Sequence, residues 1–597
     1  MINTSYDGKA SPENTLMLRI AKLIPIFYWL PRYQAAWLWP DMTAGFTLAA
    51  CAVPLAVAYS SLASLPPQAG LYCCVFSGMA YAVFTTSRHL AIGPTTAISV
   101  MVASVLGTLA GGDAPLYAAM AAMTAALVSA ICIFAWIMRL SSFVNFISES
   151  ILLGFKAGVA LSIATMQLPK LLGVDGGGGN FFQNFYNTVR QLGNTNLTAL
   201  IIGVGSLILI LVGEHFFPRR PVALAVVVIA IGAVSMFGHT EQGVRVIGFI
   251  PAGLPAFGVP AVSYKQIDGL LELAFACFLL SYVESMAAAR TFASKNHYSI
   301  DPRQELLGLG AANLVTALGH GYPVAGGMSQ SAVNEKAGAR TPLSLIVASI
   351  TIMAVLFFLT GLMSNLPQSV LAAIVIVSVA GFIRLDEFKR LWGISRLEFN
   401  VALVAFVGVL LFGILKGVTI SAITSILFLL RMMANPHVAV LGRIPGTIRF
   451  SDIARHTNNE LFPGLYLFRV EAPLLYFNVD NISATVMNGI HGEAVPVKLA
   501  VCDLSTSPYI DAAGTKMLAR LEDELERENI RFRVVEAHAE VRSILRATGI
   551  SELLGGVSRY TALADLVEDF EREAGRSKMA PDFVLKAPTA LDLPYAG

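Results

Sequence analysis

Charge is scarce in this 597-residue chain. Asp, Glu, Lys and Arg make up 13% of it, against about 25% in ordinary globular proteins, while apolar residues make up 55%. That balance excludes a typical soluble protein and points to repeated membrane crossings, with membrane lipid as the surroundings. Net charge is only +2, which excludes a strongly basic nucleic-acid surface. Cysteine is also sparse. Cys51, Cys73, Cys74, Cys132 and Cys277 fall in apolar runs and Cys502 in an apparent buried strand. None has metal-ligand spacing with histidines, so neither a disulfide framework nor a metal site is expected. No nucleotide loop or hydrolytic constellation is present, so neither an enzyme nor a cofactor is expected. His89, His215, His297 and His320 stand singly near span ends, where solvated or capping roles are expected. The first 40 residues lack the apolar core and small-residue exit of a cleavable signal. They read instead as a cytoplasmic arm, with Trp29, Tyr33, Trp37 and Trp39 suited to the membrane interface.

What the chain has in abundance is apolar runs. They parse into segments near 42–63, 69–86, 94–110, 115–139, 145–168, 197–213, 221–238, 266–290, 304–319, 327–339, 341–361, 367–383, 398–414 and 417–433. The expectation is an α-helical polytopic membrane protein of fourteen spans. With the N-terminus inside, most Lys and Arg, Arg88, Arg139, Arg219, Arg290, Arg340 and Arg384 among them, fall in cytoplasmic loops. The other side receives little beyond Lys170, Arg190, Arg245 and Lys265, so both termini are expected in the cytoplasm. After about Arg431 the composition turns mixed and charged. "LYLFRV", "LLYFNV", "VKLAVCDLS" and "RFRVVEA" read as strands, and "AAGTKMLARLEDELERENI" as a helix with Leu518, Leu521 and Leu525 on its apolar stripe. The expected organisation is an arm at 1–40, a transmembrane domain at 41–434, a linker at 435–459, a small α/β domain at 460–575 and a loose tail at 576–597.

Two spans are interrupted. The third opens "HLAIGPTTAISVM" and the tenth "HGYPVAGGMSQSAVN". Each has extended-favouring residues, Pro and Gly, then small and hydroxylic residues starting a helix. Non-helical backbone at membrane depth is tolerated only inside protein or along a cavity. Two such breaks in matching places point to a transporter built from inverted repeats. The first-span Pro54 precedes Thr95 by about 41 residues, and Glu284 of the eighth precedes Gly327 by about 43, as two seven-span halves require. A helix N-terminus carries unpaired N–H groups and about half a positive charge. Two facing one another make an anion site without Lys or Arg. Thr95, Thr96 and Ser329 add hydroxyl donors, and Gly326 and Gly327 admit the anion close to the backbone.

Glu284 sits in an otherwise apolar segment, "CFLLSYVESMAAAR", and an ionisable group there is a functional candidate. Protonated, it tolerates an adjacent anion; deprotonated, it repels one, which is a route to proton-coupled symport. A buried ion pair with Arg290 or Lys156 is the structural alternative. Lys156 either snorkels toward the cytoplasmic interface, the preferred reading, or faces the substrate path.

The chain resembles the SulP-type anion permeases, solute carrier family 26. The resemblance rests on three ordered stretches. They are "LPPQAGLYCCVFSGMAYAVFTTSRHLAIGPTTAIS", the run from Tyr282 to Ser344 beginning "YVESMAAARTF", and "NPHVAVLGRIPGT". It implies fourteen spans as two inverted seven-span repeats, a mobile core domain against a gate domain in an elevator-like motion, a homodimer, and a cytoplasmic STAS domain with a STAS-binding protein as a candidate partner. It implies an anion site at Tyr59, at Thr95, Thr96 and Ala97, and at Gly327, Met328, Ser329 and Gln330. Glu284 falls at the coupling acid, which is typically Glu in proton-coupled sulfate members and Asp in sodium-coupled bicarbonate members. Sulfate uptake with protons is therefore implied, in a bacterial inner or plasma membrane. One departure is Gln330, where many members carry Arg; without that charge, bicarbonate, chloride or a dicarboxylate stays open. Another is Asp511-Ala512-Ala513-Gly514, where soluble STAS relatives often carry a phosphorylatable Ser. A nucleobase permease of the same fold and a membrane-anchored STAS signalling protein are the remaining alternatives. The first does not explain the STAS domain, and the second needs neither broken helices nor a buried acid.

Overall fold

A helix occupies each of the fourteen apolar segments of the chain. They are α1 (Leu38–Leu62), α2 (Pro67–Phe84), α3 (Thr96–Leu109), α4 (Ala114–Ile137), α5 (Glu149–Leu172), α6 (Leu197–Phe216), α7 (Val222–Phe237), α8 (Tyr264–Lys295), α9 (Pro302–Leu318), α10 (Met328–Lys336), α11 (Leu343–Phe358), α12 (Gln368–Ala380), α13 (Arg396–Phe412) and α14 (Ile414–Ala434). The structure, a computed structural model, describes residues 23–140, 149–175, 181–217, 222–237, 243–573 and 575. The chain divides into two compact units, one ending at Ile426 and the other beginning at Leu427.

The expectation of fourteen spans is corrected on length and composition. Among the described residues only six stretches are long and apolar enough to cross by themselves, namely α1, α4, α5, α6, α8 and the run Gln368–Ile394 that begins with α12, and α3, α7 and α11 are apolar but shorter. The physical reason is enclosure. A helix surrounded by helices packs against protein and need not suit lipid. Helix α9 buries Gln304, Glu305, Asn313 and Thr316. Helix α10 has nine residues, a length of about 14 Å and less than half a crossing.

The helices pack in two sets. In the first, α9 lies on α4 and α2, α11 on α1 and α2, α8 on α3 and α4, and α10 on α1. In the second, α12 and α13 lie on α5, and α12 and α7 on α6. The sets meet where α7 and α12 touch α1. Contacts recur with the halves exchanged: α4 on α9 matches α11 on α2, α1 on α11 matches α8 on α4, and α1 on α10 matches α8 on α3. Small residues allow the close approaches. A Cβ on Gly70 would lie 2.1 Å from the Ala56 carbonyl oxygen, so α1 and α2 pack backbone to backbone only with glycine there.

Two buried carboxylates that the sequence reading did not single out tie this unit together. Asp41, at the start of α1, accepts from Arg340 N at 2.6 Å, Thr341 N at 3.1 Å, Thr341 Oγ1 at 2.6 Å and Tyr33 OH at 3.2 Å. It anchors the turn that leads into α11, and burial beside Asp41 pushes the Tyr33 phenol up to about 12. Glu305 on α9 accepts from Thr86 N at 2.8 Å, Thr86 Oγ1 at 2.6 Å, Ser87 N at 3.0 Å, Thr85 Oγ1 at 3.1 Å and the Tyr81 hydroxyl.

In the second unit a five-stranded sheet runs β4-β3-β5-β6-β7, built from β3 (Val438–Arg443), β4 (Phe450–Asp452), β5 (Leu465–Val470), β6 (Leu499–Asp503) and β7 (Arg531–Val535). β5, β6 and β7 are parallel, and β3 is antiparallel to both β4 and β5. Helices α15 (Val479–His491), α16 (Ala512–Arg527) and α17 (Ala539–Ala547) cover one face with Ile482, Leu518, Leu521, Leu525 and Val541. Helix α18 (Leu563–Glu573) covers the other with Val567 and Phe570. Parallel strands require cover on both faces. Two expectations change here. Residues 435–459, expected as a linker, supply β3 and β4. "LLYFNV" is no strand: Leu474 makes one bridge to Ile510, and the Asn478 side chain takes the Leu475 N–H and donates to the Pro473 carbonyl, turning the chain into α15. Asp511 caps α16 by accepting from Ala513 N at 2.9 Å and Gly514 N at 2.8 Å. The expected tail at 576–597 and the arm before residue 23 lie outside the described residues.

Candidate functional site

The two interrupted spans meet. Before α3 and α10 the chain forms two-residue strands, β1 (Ile92–Gly93) and β2 (Ala325–Gly326), paired antiparallel with Ile92 opposite Gly326 and Gly93 opposite Ala325. Gly327 N extends the pair by donating to Ala91 O at 3.0 Å. Antiparallel pairing sends the following helices away from each other with their N-termini adjacent. Thr95 and Gly327, both extended, precede the first helical residues Thr96 and Met328. The amides of each first turn have no partner within their helix and point into the space between the tips.

Short side chains fix this arrangement. Ser285 Oγ accepts from Gly326 N at 2.8 Å, and Ser331 Oγ accepts from Ala91 N at 2.9 Å while donating to Gly327 O at 2.6 Å. Asn313 brackets Val324, accepting from its N–H at 3.0 Å and donating to its carbonyl at 3.2 Å. Asn334 donates to His89 O at 3.1 Å. A Cβ on Gly326 would stand 2.8 Å from the end of the buried Leu90 side chain, so a larger residue where the strands cross would have to displace Leu90.

Between the tips lies a cavity of about 50 Å³, lined by Tyr59, Pro94, Thr95, Thr96, Ala97, Lys156, Glu284, Gly326, Gly327, Met328, Ser329, Gln330 and Phe382. All nine residues singled out from sequence line it. Tyr59, Thr96, Ala97 and Gln330 are buried, whereas Met328 and Ser329 are exposed. Ser329 and Gln330 also line an adjoining cavity of about 460 Å³, with Thr47, Cys51, Glu214, Lys336 and Ser378. Thr95 Oγ1 is buried without a well-formed hydrogen bond. The Glu284 carboxyl lies near it, and the Lys156 ammonium acts on the same carboxylate.

Lys156, for which snorkelling was preferred, instead lines the cavity. Its position on α5 faces the first set of helices across the junction of the two sets, which no single-helix pattern reveals. His89 also departs from expectation. It is buried, with Nε2 3.1 Å from Ala339 O and Nδ1 3.2 Å from Tyr298 OH, and so joins three segments. His297 and His320 end helices with positive φ, as capping residues do. The sequence reading missed Ser285, Ser331 and Asn313. Ser285 was discoverable as the neighbour of Glu284, facing the backbone that the Gly326–Gly327 pair bends. Among the described residues no group of three His, Cys, Asp or Glu is placed to hold a metal ion.

Comparison with known proteins gives a consistent result. Residues 38–405 match the sulfate permease family, and residues 456–566 match the STAS domain. A probable sulfate transporter of Mycobacterium tuberculosis is 32% identical over 540 residues, covering 90% of this chain and 96% of the relative. The chloroplastic sulfate transporter 4.1 of Arabidopsis thaliana is 30% identical over 582 residues, covering 92% and 82%. In structure, the chain is similar to the murine solute carrier 26 family member A9 anion transporter in the inward-facing state, with a TM-score of 0.85 at 21% identity over 96% of this chain and 97% of that one. It is also similar to the transmembrane domain of a cyanobacterium bicarbonate transporter, BicA, with a TM-score of 0.58 at 22% identity over 66% and 98%.

Proposed function

Because this chain belongs to the sulfate permease family, and is thus an integral membrane protein for secondary active transport of small anions rather than an enzyme, we propose that it carries sulfate in symport with protons. The observation that carries this reading is the cavity between the N-termini of α3 and α10 with Glu284 on its wall. The amides and hydroxyls there suit a small oxyanion. Glu284 supplies the coupling: its neutral form accepts an anion beside it, and its loss of a proton repels the anion. With the proton bound, both ligands travel together. Lys156 supplies a positive charge that offsets part of the anion's own.

The proposal includes an elevator motion. Almost every residue lining the cavity belongs to the first packing set, and only Lys156 and Phe382 come from outside it. A displacement of that set against α5, α6, α7, α12 and α13 carries the site with it. The exchanged contacts support two inverted seven-helix repeats within residues 41–434, although six helices span by length and composition alone. The wider cavity meets α1 at Thr47, Cys51 and Leu55, nearer the N-terminal arm than Tyr59 of the transport cavity is, which favours an inward-open state with both termini cytoplasmic. A homodimer, and the second unit, with its sheet starting at β3 (Val438–Arg443), as a cytoplasmic STAS domain with a protein partner, complete the reading.

A second reading, transport of bicarbonate, chloride or a dicarboxylate, is favoured by Gln330, which offers hydrogen bonds but no charge. Purified protein in liposomes separates the two. Radiolabelled sulfate and bicarbonate are offered under imposed proton or sodium gradients. Sulfate accumulation driven by the proton gradient is expected. Glu284→Gln is expected to keep sulfate exchange and to lose pH-driven accumulation. Undiminished pH-driven accumulation in that variant overturns the coupling role, and uptake of bicarbonate alone moves the protein to the second reading.

A further inference from the structure

A further cavity, of about 130 Å³ and with four polar residues in a largely apolar wall, lies at the junction of α5, α6, α12 and the chain at Val244 and Arg245. Lys170, Gly173, Val174, Arg245, Gln368 and Ser369 contribute to its wall. Helix α1 serves as a ruler for its place. Thr47 and Cys51 line the wide cavity, Tyr59 lines the transport cavity, and Ser61 receives a hydrogen bond from Lys170 Nζ at 3.0 Å. The second cavity is therefore on the far side of the transport site from the wide one.

Its polar groups are chiefly donors. Lys170 is partly buried in the last turn of α5, and among the described residues it pairs with no carboxylate. An ammonium has three donors, and one goes to Ser61. A charge withdrawn from water without a counter-charge is costly. Ser369 is 2% exposed, its Oγ has no hydrogen-bond partner, and it is the second residue of the 13-residue helix α12. In that first turn Gln368 N is taken by Arg245 O and Val370 N by Pro367 O, which leaves the Ser369 amide beside its own hydroxyl at the N-terminal dipole end. Arg245 brings a second cation; it pairs with the exposed Asp175 at 2.7 Å, and a guanidinium retains further N–H groups beyond one such pair. Backbone bonds hold this frame: Gln368 N donates to Arg245 O at 2.9 Å, and Ile247 N to Leu366 O at 3.0 Å.

We infer that Lys170, Ser369 and the first turn of α12 bind a second small inorganic anion, an oxyanion or a halide, beyond the transport cavity. The volume holds one such ion with a few waters, since a water occupies about 30 Å³. Its use as a loading site for anions arriving from the side opposite the wide cavity rests on the transport reading; its occupancy does not.

Bromide tests both separately by anomalous scattering from crystals of the full-length protein. Two bromide positions are expected, one between α3 and α10 and one beside Lys170. Lys170→Met is expected to empty the second and leave the first; Ser369→Ala weakens it, and Lys170→Arg retains it should the methionine variant fail to fold. Bromide at the first position alone, or a second position unaltered by Lys170→Met, overturns the inference. Bromide beside Lys170 alone sustains it and counts against the transport-site reading. In liposomes, Lys170→Met is expected to raise KM for anion supplied from that side about fivefold with the maximal rate kept, the mark of lost binding without lost turnover; an unchanged KM removes the loading role.

Discussion

Glu305 and Glu284 lie on consecutive helices of one unit, and their surroundings divide them. Glu305 is enclosed by five donors, from Tyr81 on α2 and from Thr85, Thr86 and Ser87 in the loop that follows it. Its carboxylate is held as a fixed acceptor. Glu284 has no such array. Its polar neighbours are a threonine hydroxyl and a lysine, on a cavity wall. The difference teaches that a buried acid in a membrane protein has two fates. One whose oxygens are all matched holds loops in place, and one left partly unmatched is available to respond to what enters.

The comparison breaks most visibly at Glu305. Glu305→Leu leaves four or five buried donors without an acceptor and is expected to cost about 3–5 kcal/mol, seen as a large drop in melting temperature of the purified protein. A melting temperature within a degree or two of the parent would mean that the array is dispensable. Glu284→Gln reverses the pattern: melting is expected to change by less than about 1 kcal/mol, while the pH-driven component of uptake falls at least about tenfold. If Glu305→Gln abolished pH coupling instead, the two roles would be interchanged. Gln330→Arg sharpens the site side of the comparison. A charge-assisted partner is worth about 1.5 kcal/mol, so KM for sulfate is expected to fall about tenfold while chloride shifts less. The smallest effect belongs to Thr86→Ala, which removes one hydroxyl from the Glu305 array and is expected to cost about 1 kcal/mol in a melting or denaturant titration.

The site was legible where its chemistry is carried by chain-bending residues. Pro94 with Gly93, and Pro323 with Gly326 and Gly327, cannot continue a helix, and only a cavity or a protein interior tolerates the result. Lys156 was not legible, because hydropathy along α5 cannot report which neighbouring set its side chain faces. Glu305 gave no signal either. An acid in the first turn after Asp301-Pro302 fits an exposed helix start as well as a buried clamp. The number of spans failed for a related reason. Apolar runs report enclosure by anything non-aqueous, lipid or protein, and half-length α10 buries only Gln330, Ser331 and Asn334 while much of the rest of it lines a cavity. In the second unit, "LLYFNV" has strand composition, yet Asn478 offers its backbone a closer partner than any neighbouring strand does.

The ribbon of β1 and β2 has a mechanical consequence. It ties the two halves of the polypeptide together where their helix N-termini adjoin, which on the proposed reading keeps the grip on the ion closed. On that reading discharge comes from carrying the whole grip to another depth, and the throughput of such a carriage depends on the friction and thickness of the surrounding lipid. Turnover measured in vesicles of graded acyl length should therefore vary, while the affinity of the grip stays nearly constant.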